Sequence, residues 1–333
     1  MADAFEKLMK MSQGYEVASV LIAASELDLF TKVLCAEYAT VANLTLLLRA
    51  DERGLTVLTD ALVSLGLLEK SDGCLRVPEE YRAALDSRSP STIIPMLQHR
   101  GSCMKAWSQL AWTVKSGSPF PITESVNGAL NDYRSFVLGM HSIGLRMAGP
   151  LVAQMKESGF PGFKRMLDLG GASGTYTVAF LNCFANSEAI IFDLPVAIAE
   201  AKTRLATSDL APRISFVAGD FYHDAFPNDV DFVWISAIIH QQSVRQTATM
   251  FEQAFAAMNG GGTIAVRDVF ANADRTGPVA ATMFGVNMLS RTEQGRIYTF
   301  DEVRDLLERA GFCDAKFLIE SSDMGSVVVA VRP

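Results

Sequence analysis

The sequence lacks the features that mark secreted, disulfide-bonded or metal-binding proteins. Its five cysteines are scattered with no CxxC pair, so we expect reduced, mostly buried thiols and no metal site. Positive charge is also scarce, since 29 lysines and arginines stand against 37 aspartates and glutamates, for a formal net charge of −8. Because binding to phosphates needs a basic face, this balance disfavours nucleic acid as the main partner.

Signals for export or membrane insertion are missing as well. Acidic residues interrupt the first thirty positions and disfavour a signal peptide: Asp3, Glu6, Glu16, Glu26 and Asp28. No apolar run approaches the roughly 20 residues that a membrane span needs. The remaining features, 333 residues of which 49% are hydrophobic, are typical of a packed globular protein with two domains. We therefore expect a soluble, cytoplasmic protein with no membrane partner.

The most informative stretch is RMLDLGGASGTY, at residues 165–176. Residues 165–170 are apolar and end in glycine, as in a buried strand, and residues 175–184 have the pattern of a helix. A strand, a glycine turn and a helix form a seat for a nucleotide-like ligand, because the first N–H groups of the helix point toward it. A tight turn without any ligand is the alternative interpretation.

The spacing of the glycines narrows the kind of ligand. A dinucleotide fingerprint starting at Gly170 requires glycine at positions 172 and 175, but these positions hold Ala172 and Thr175. Instead, Asp168, Gly170 and Gly174 form the pattern D-x-G-x-x-x-G. The stretch therefore argues against NAD.

The amino-terminal third has the pattern of a winged helix. Helical patterns cover residues 42–48 and 52–65, and an Asp-Gly turn joins two short strands at 67–70 and 74–77. Helix-turn-helix motifs with a wing often bind DNA, but the second helix here carries too little positive charge for phosphate contacts. A winged helix used for dimerisation is the favoured interpretation. A preceding helix at residues 17–30 is apolar nearly all round, which indicates contact with another chain.

From residue 165 onward, strands alternate with helical patterns, which predicts a parallel sheet covered by helices on both faces. The last two strands are joined by only about four residues, so they must form an antiparallel hairpin. The predicted strands are 165–170, 189–194, 214–219, 230–236, 263–269, 315–321 and 326–332.

Taken together, these features resemble the small-molecule O-methyltransferases that use S-adenosylmethionine, of the acetylserotonin, caffeic acid and hydroxyneurosporene types. The D-x-G-x-x-x-G turn is similar to their motif I, and ASELDLF and ADERGLTVLTDALVSLGLLEKSDGCLRV are similar to their dimerisation domain. The resemblance implies an α/β fold with a Rossmann-like seven-stranded sheet ending in an antiparallel hairpin. It also implies an all-α winged-helix dimerisation domain at residues 1–100, linking helices at 101–160, a cofactor domain at 161–333, and a homodimer.

The resemblance also implies which residues bind S-adenosylmethionine. Asp193 ends a strand, and its carboxylate is suited to accept hydrogen bonds from two ribose hydroxyls, although it can equally cap the next helix. Asp220 is expected to accept from the adenine amino group, and Phe221 to stack on the ring. Ser236 replaces a lysine that plant members carry near the methionine end. The full predicted set is Asp168, Gly170, Gly171, Gly174, Asp193, Leu194, Asp220, Phe221 and Ser236.

His240 is the predicted catalytic base. It follows a strand at the ligand-binding edge, and a neutral imidazole can take the proton of a phenol whose pKa is near 10. Asp268 takes the place of the family's first supporting glutamate and is expected to orient the imidazole. Ile297 stands where the second supporting glutamate is expected, and His240 is followed by Gln-Gln rather than Asp-Trp. A histidine that only caps the following helix is the alternative.

Two helices carry the predicted acceptor-binding residues. The first, at residues 132–155, places aromatic, thioether and imidazole groups on one face. The second precedes the loop at Ile297 and carries methionines, whose sulfur packs well on flat rings. Packing in the protein core is the alternative for these residues. The predicted set is Phe136, Met140, His141, Met283, Asn287 and Met288.

These observations predict a methyltransferase that acts on a hydroxyl of a small, aromatic molecule. The altered surroundings of His240 keep open a C- or N-methyltransferase, or a non-methylating relative such as a hydroxylase or decarboxylase. A DNA-binding regulator built on the winged helix is the least favoured alternative. The acceptor itself cannot be identified from the sequence.

Overall fold

The structure is a computed structural model that describes residues 3–333, and it divides into two compact units. The first unit comprises the chain up to Ser108 together with Pro121–Ile143, and the second comprises Gln109–Phe120 together with Gly144–Pro333. One long helix, Ala129–Glu157, contributes residues to both units. The domain limits expected from the sequence stay a prediction.

The first unit contains the expected pair of helices and the wing. Thr40 and Asp51 cap the two helices, each through a side-chain oxygen that accepts a backbone N–H. Asp72 and Gly73 both have positive φ, as a tight hairpin turn requires. Its elements are α1 (Ala4–Ser12), α2 (Gly14–Glu26), α3 (Leu29–Cys35), α4 (Val41–Leu48), α5 (Glu52–Ser64), β1 (Glu69–Ser71), β2 (Cys74–Arg76), α6 (Glu79–Leu85) and α7 (Ile94–Trp107).

The helix expected at residues 17–30 is interrupted, and this part of the prediction was wrong. Asp28 adopts a left-handed conformation with φ of 51°, which ends α2 and starts α3 in a new direction. The change of direction lets Leu29 and Phe30 become fully buried. The sequence carries no glycine or proline at the break, so periodicity alone could not place it.

The second unit is built on a seven-stranded sheet, as expected. Its helices are α8 (Leu110–Ser116), the carboxyl-terminal part of α9 (Ala129–Glu157), α10 (Thr175–Cys183), α11 (Pro195–Leu205), α12 (Val244–Ala257), α13 (Val279–Arg291) and α14 (Phe300–Arg309). Its strands are β3 (Arg165–Leu169), β4 (Glu188–Asp193), β5 (Ile214–Ala218), β6 (Val230–Ser236), β7 (Met258–Asp268), β8 (Phe270–Ala271), β9 (Tyr298–Thr299), β10 (Cys313–Ile319) and β11 (Ser326–Val331).

The sheet order is β10-β11-β7-β6-β3-β4-β5, and β11 alone runs opposite to the other six strands of this sheet. Both faces are covered by apolar clusters, which explains why the central strands are almost continuously hydrophobic. Leu169 at the end of β3 pairs with Ile235, and Ser236 at the end of β6 pairs with Arg267. The carboxyl ends of these strands therefore lie along one edge, where ligands bind in such sheets.

Helix α9 passes a composition test for a membrane span. Within residues 3–333 it alone is long and apolar enough to cross a membrane by length and composition. A single helix of this kind is weak evidence, because core helices satisfy the same test. It has Asp132 near its start and Pro150 in its interior.

Candidate active site

The glycine turn after β3 is held in place from several sides. Gly170 and Gly174 have φ of 66° and 70°, which side chains rarely tolerate. The N–H of Gly170 donates to the carbonyl of Phe192 at 2.8 Å. The guanidinium of Arg204, from α11, donates to the carbonyl of Ser173 through two nitrogens. These bonds fix the turn against both β4 and α11 before any ligand arrives.

Two glycines of the turn, Gly171 and Gly174, are required by close packing against β3 and β4. A methyl group built on Gly171 would lie 2.8 Å from the carboxyl carbon of Asp168. One built on Gly174 would lie 2.7 Å from a methyl group of Ile191. The expected reason for these glycines was close approach of a ligand, and the structure adds close approach of the turn to the protein itself.

Asp168 lies beneath the turn and is only 2% exposed. The hydroxyl of Thr177 donates to its carboxylate at 2.5 Å. Burial raises the pKa of Asp168 to about 7, against the opposing effect of the Thr177 hydrogen bond. The residue therefore supports the turn from inside, with a carboxyl group that changes charge near neutral pH.

Asp193 connects the end of β4 to the glycine turn. One carboxylate oxygen accepts the N–H of Ala172 at 2.7 Å, and the other accepts the N–H of Leu194 at 2.7 Å. Burial raises the pKa of Asp193, while these two backbone hydrogen bonds lower it. Each carboxylate oxygen has a second lone pair, so Asp193 can still accept hydrogen bonds from the hydroxyls of a ligand.

Asp220 and Phe221 form a short turn after β5. The carboxylate of Asp220 accepts the N–H of Tyr222 at 2.9 Å, and the ring of Phe221 lies 4.7 Å from the ring of Tyr222. A methyl group built on Gly170 would lie 3.9 Å from the Phe221 ring. The aromatic ring predicted to hold adenine therefore lies beside the glycine turn.

His240 and Asp268 form a buried pair at the same edge of the sheet. Nδ1 of His240 lies 2.8 Å and 3.0 Å from the two carboxylate oxygens of Asp268, and the residues are 5% and 1% exposed. Since a carboxylate only accepts, Nδ1 is the donor in this pair, and a neutral imidazole in this tautomer carries its lone pair on Nε2. The N–H of Val269 donates to the same carboxylate at 2.8 Å and fixes its orientation.

The loop that carries His240 is fixed by its neighbours. The hydroxyl of Tyr298 donates to the carbonyl of Gln242 at 3.1 Å and lies 2.9 Å from the hydroxyl of Thr247. Ser243 begins α12 with a reciprocal capping box. The ring of Phe284, from α13, meets the imidazole edge-on with centroids 4.8 Å apart. The first contacts hold the loop that follows His240, and the Phe284 ring packs against the imidazole itself.

The position expected for a second supporting carboxylate is apolar. Ile297 is 7% exposed and belongs to a small buried cluster with Val269, Ala281 and Met288. Met288 is therefore buried in the same cluster as Ile297, while Met283 on the same helix is 48% exposed. Asn287, between them, is half-buried.

In the first unit, the face of α9 that carries the other predicted acceptor residues is partly open. Phe136 is 37% exposed and its ring lies 5.0 Å from the ring of His99, while Met140 is 41% exposed. His141 is half-buried. The acceptor role of all these residues stays a prediction.

One polar residue at this edge was missed by the sequence interpretation. Arg267 is 5% exposed, and one of its terminal nitrogens donates to the hydroxyl of Ser236 at 3.1 Å. Its guanidinium lies 5.2 Å from the centre of the Tyr176 ring. The strand position of Arg267 could have revealed it, because arginine is rare in a run as apolar as TIAV.

Two family models match this chain. The model described as the O-methyltransferase domain matches residues 117–313, and the model described as the O-methyltransferase dimerisation domain matches residues 9–87. The first covers more than half of the chain and includes the glycine turn, the His240–Asp268 pair and the loop at Ile297.

Relatives of known activity are similar along nearly the whole chain. The acetylserotonin O-methyltransferase of Bos taurus is 29% identical over 94% of this chain and 94% of its own length. The 3-hydroxy-5-methyl-1-naphthoate 3-O-methyltransferase of Streptomyces sahachiroi is 27% identical over 97% and 94%. The structure of human N-acetylserotonin methyltransferase in complex with S-adenosylmethionine is 25% identical, covers 100% of this chain and 98% of its own, and has a TM-score of 0.81.

Proposed function

We propose a specific reaction from one established premise: the chain belongs to the O-methyltransferase family and is an S-adenosylmethionine-dependent methyltransferase. The proposed reaction is methylation of a hydroxyl group on a small aromatic molecule, with His240 as general base. The buried pair of His240 and Asp268 is the observation that carries this proposal. It leaves a basic nitrogen on an imidazole whose tautomer and orientation are both fixed.

The residues at the sheet edge fit the methyl donor. Asp193 and Asp220 offer carboxylate oxygens at the ends of consecutive strands, suited to ribose hydroxyls and an adenine amino group. Phe221 offers a ring beside the glycine turn. We propose that Asp168, Gly170, Gly171 and Gly174 shape this seat and that Leu194 and Ser236 complete it. When bound, S-adenosylmethionine supplies a methyl group that is already activated by its sulfonium.

The chain must therefore align an acceptor and remove its proton. Nε2 of His240 accepts the proton of the hydroxyl as the oxygen–carbon bond forms and the carbon–sulfur bond breaks. The positive charge that appears on the imidazole is stabilised by the carboxylate of Asp268, which is held by the N–H of Val269. We propose that Phe136, Met140, His141, Met283, Asn287 and Met288 orient the acceptor.

Methylation of a nitrogen or carbon is the second candidate. The apolar environment of Ile297 favours it, because His240 then relies on one carboxylate where two are expected. An amine that is neutral at assay pH needs less help from a base than a phenol does. Asp268 offsets this difference in part, since both of its oxygens lie within 3.0 Å of Nδ1. We therefore favour the hydroxyl as the acceptor group.

We further propose that the protein is a homodimer formed through its first unit. The dimerisation-domain match supports this arrangement, and α1 exposes an apolar face with no buried residue on it. Phe5 and Leu8 of that helix are 68% and 66% exposed. Light scattering on the purified protein tests the proposal, because a monomer at micromolar concentration contradicts it. The expected cytoplasmic location stays a prediction.

Turnover with a defined set of acceptors tests the reaction. We would incubate the enzyme with S-adenosylmethionine and phenols, hydroxyindoles, hydroxynaphthoates, tetrapyrroles and matched amines, and detect S-adenosylhomocysteine and methylated product by mass spectrometry. The proposal expects O-methylated product whose rate of formation falls strongly in His240→Asn and His240→Ala. Product from the amines alone would support the second candidate and overturn the first.

A further inference from the structure

Arg267 is a buried cation at the edge of the sheet. It is the second-last residue of β7, is 5% exposed, and pairs in register with Ser236, the last residue of β6. One terminal nitrogen donates to the Ser236 hydroxyl at 3.1 Å, and the other lies 3.9 Å from the sulfur of Met147. Its Nε is buried and has no hydrogen-bond partner. The guanidinium is therefore only partly satisfied by the protein.

No carboxylate neutralises this charge within residues 3–333, since none forms an ion pair with Arg267. Asp323 lies near enough to respond to it, but that side chain is exposed and its carboxylate accepts from the Ser321 hydroxyl and the Gly325 N–H. These two contacts lower the pKa of Asp323 more than Arg267 does. Burying an unpaired guanidinium is costly, so a cation in this position calls for an anionic ligand.

The surroundings of Arg267 indicate where that ligand lies. Tyr176, whose ring faces the guanidinium at 5.2 Å, is the second residue of α10 and follows the glycine turn directly. Ser236 ends the strand that neighbours β3. Arg267, on β7, thus lies at the same edge of the sheet as the glycine turn, and only β6 separates its strand from β3.

We propose that Arg267 binds the carboxylate of the amino-acid end of the methyl donor, with Ser236 positioning its guanidinium. This inference rests on the donor binding that the proposed function requires. Ser236 alone is a weak partner for a carboxylate, because a hydroxyl carries no charge. Arg267, the register partner of Ser236 on the adjacent strand, carries the positive charge that the Ser236 hydroxyl lacks.

Calorimetry with two ligands tests the assignment without turnover. One is S-adenosylhomocysteine, and the other is its analogue with a 3-aminopropyl chain, which lacks only the carboxylate. The wild-type protein is expected to prefer S-adenosylhomocysteine by about 10- to 100-fold, the range for a hydrogen bond between charged groups. Arg267→Met is expected to bind both ligands equally, with an affinity for the analogue close to that of the wild type.

Arg213→Met is the matched control. Arg213 donates to the carbonyls of Ser187, Leu181 and Phe184, so it is an arginine whose contacts are structural. Its loss is expected to lower stability and leave the preference between the ligands intact. If Arg267→Met lowers the affinity for both ligands by the same factor, or leaves both affinities unchanged, the wild-type preference is kept and the proposal is wrong.

A second variant covers the case in which Arg267→Met does not fold. Arg267→Lys keeps the positive charge, but an ammonium group cannot make the two parallel hydrogen bonds that a guanidinium makes with a carboxylate. It is expected to lose affinity for S-adenosylhomocysteine and not for the analogue, and an unchanged preference overturns the assignment. Failure of the wild-type protein to bind either ligand would instead contradict the proposed function, so the two outcomes are distinguishable.

Discussion

The carboxylate of Asp193 accepts the backbone N–H of Ala172 at 2.7 Å, which ties the end of β4 to the glycine turn after β3. Ala172 has a positive φ of 45°, a conformation that a non-glycine residue adopts only when its surroundings hold it there. Asp193 therefore shapes the turn, and its remaining acceptor sites are the ones that the proposed donor site uses.

Loss of the Asp193 carboxylate should weaken donor binding more than stability. Asp193→Asn retains one acceptor oxygen but no charge, and we expect the affinity for S-adenosylhomocysteine to fall by roughly 10- to 100-fold. Calorimetry checks this value, and denaturant unfolding measures the effect on the fold. An affinity equal to that of the wild type would show that the residue serves only the turn.

Removal of the imidazole should abolish most turnover on a hydroxyl acceptor. His240→Asn is expected to lower kcat by about 10²- to 10⁴-fold, the usual contribution of a general base. Binding of S-adenosylhomocysteine should be unchanged, because none of the proposed donor contacts involves the imidazole. Steady-state kinetics and calorimetry together check both statements. A variant that keeps wild-type kcat on a phenol excludes His240 as the base.

Asp268 should act only through the imidazole. Asp268→Asn removes the charge that fixes the tautomer, so we expect a fall in kcat no larger than that of His240→Asn. The double variant should be no slower than His240→Asn alone, because the two side chains function as one unit. The kcat values of the four proteins form a cycle, and fully additive losses would contradict this coupling.

The buried carboxyl of Asp168 should make stability depend on pH. Its pKa is raised from 3.8 to about 7, so its contribution is full below about pH 4 and is lost as the pH rises through 7. At ~1.36 kcal/mol per unit, the shift corresponds to roughly 4 kcal/mol. Relative to Asp168→Asn, which does not titrate, the wild-type free energy of unfolding should therefore fall between about pH 4 and pH 7 and then level off.

Urea unfolding of ligand-free protein at several pH values checks this prediction. Asp209→Asn is the control, because Asp209 is exposed on a loop and should show no such difference from the wild type. A difference that grows as the pH rises would have the wrong sign and would refute the assignment.

The Tyr298 hydroxyl should matter for both stability and rate. It is 1% exposed and holds the carbonyl of Gln242, two residues after His240. Tyr298→Phe removes this bond and leaves a buried carbonyl with one partner fewer, so we expect a loss of about 1–3 kcal/mol. Denaturant unfolding measures it. A parallel fall in kcat is expected, because the loop that carries His240 loses one of its hydrogen bonds. An unchanged kcat would show that the other contacts of this loop are enough to hold the imidazole in place.

Strand positions were predictable because turn residues and apolar runs alternate clearly after residue 165. One error was β7, which begins at Met258 and not at 263, because the strand runs through three glycines, a residue that usually marks a turn, and Gly261 has a positive φ of 78°. Polar residues at strand ends, such as Asp193 and His240, were also identifiable, since the ends of parallel strands share one edge.

Long side chains that reach between elements were not predictable. Arg204 and Arg267 lie far from the glycine turn in sequence, and their contacts depend on how α11 and β7 pack. The contact of Phe284 with His240 likewise depends on the position of α13. Sequence patterns fix which face a residue occupies, but not what a flexible side chain reaches from there.

The register pair of Ser236 and Arg267 has a consequence for comparing members of this family. Side chains from adjacent strands reach the same point in space, so a charge can pass from one alignment column to another while keeping its place in the molecule. On the proposed role of Arg267, a column-by-column survey would wrongly score this chain as lacking a donor-binding cation. A survey that also includes the register partner on the adjacent strand would find this cation. It would then group homologues by the strand that carries the charged residue.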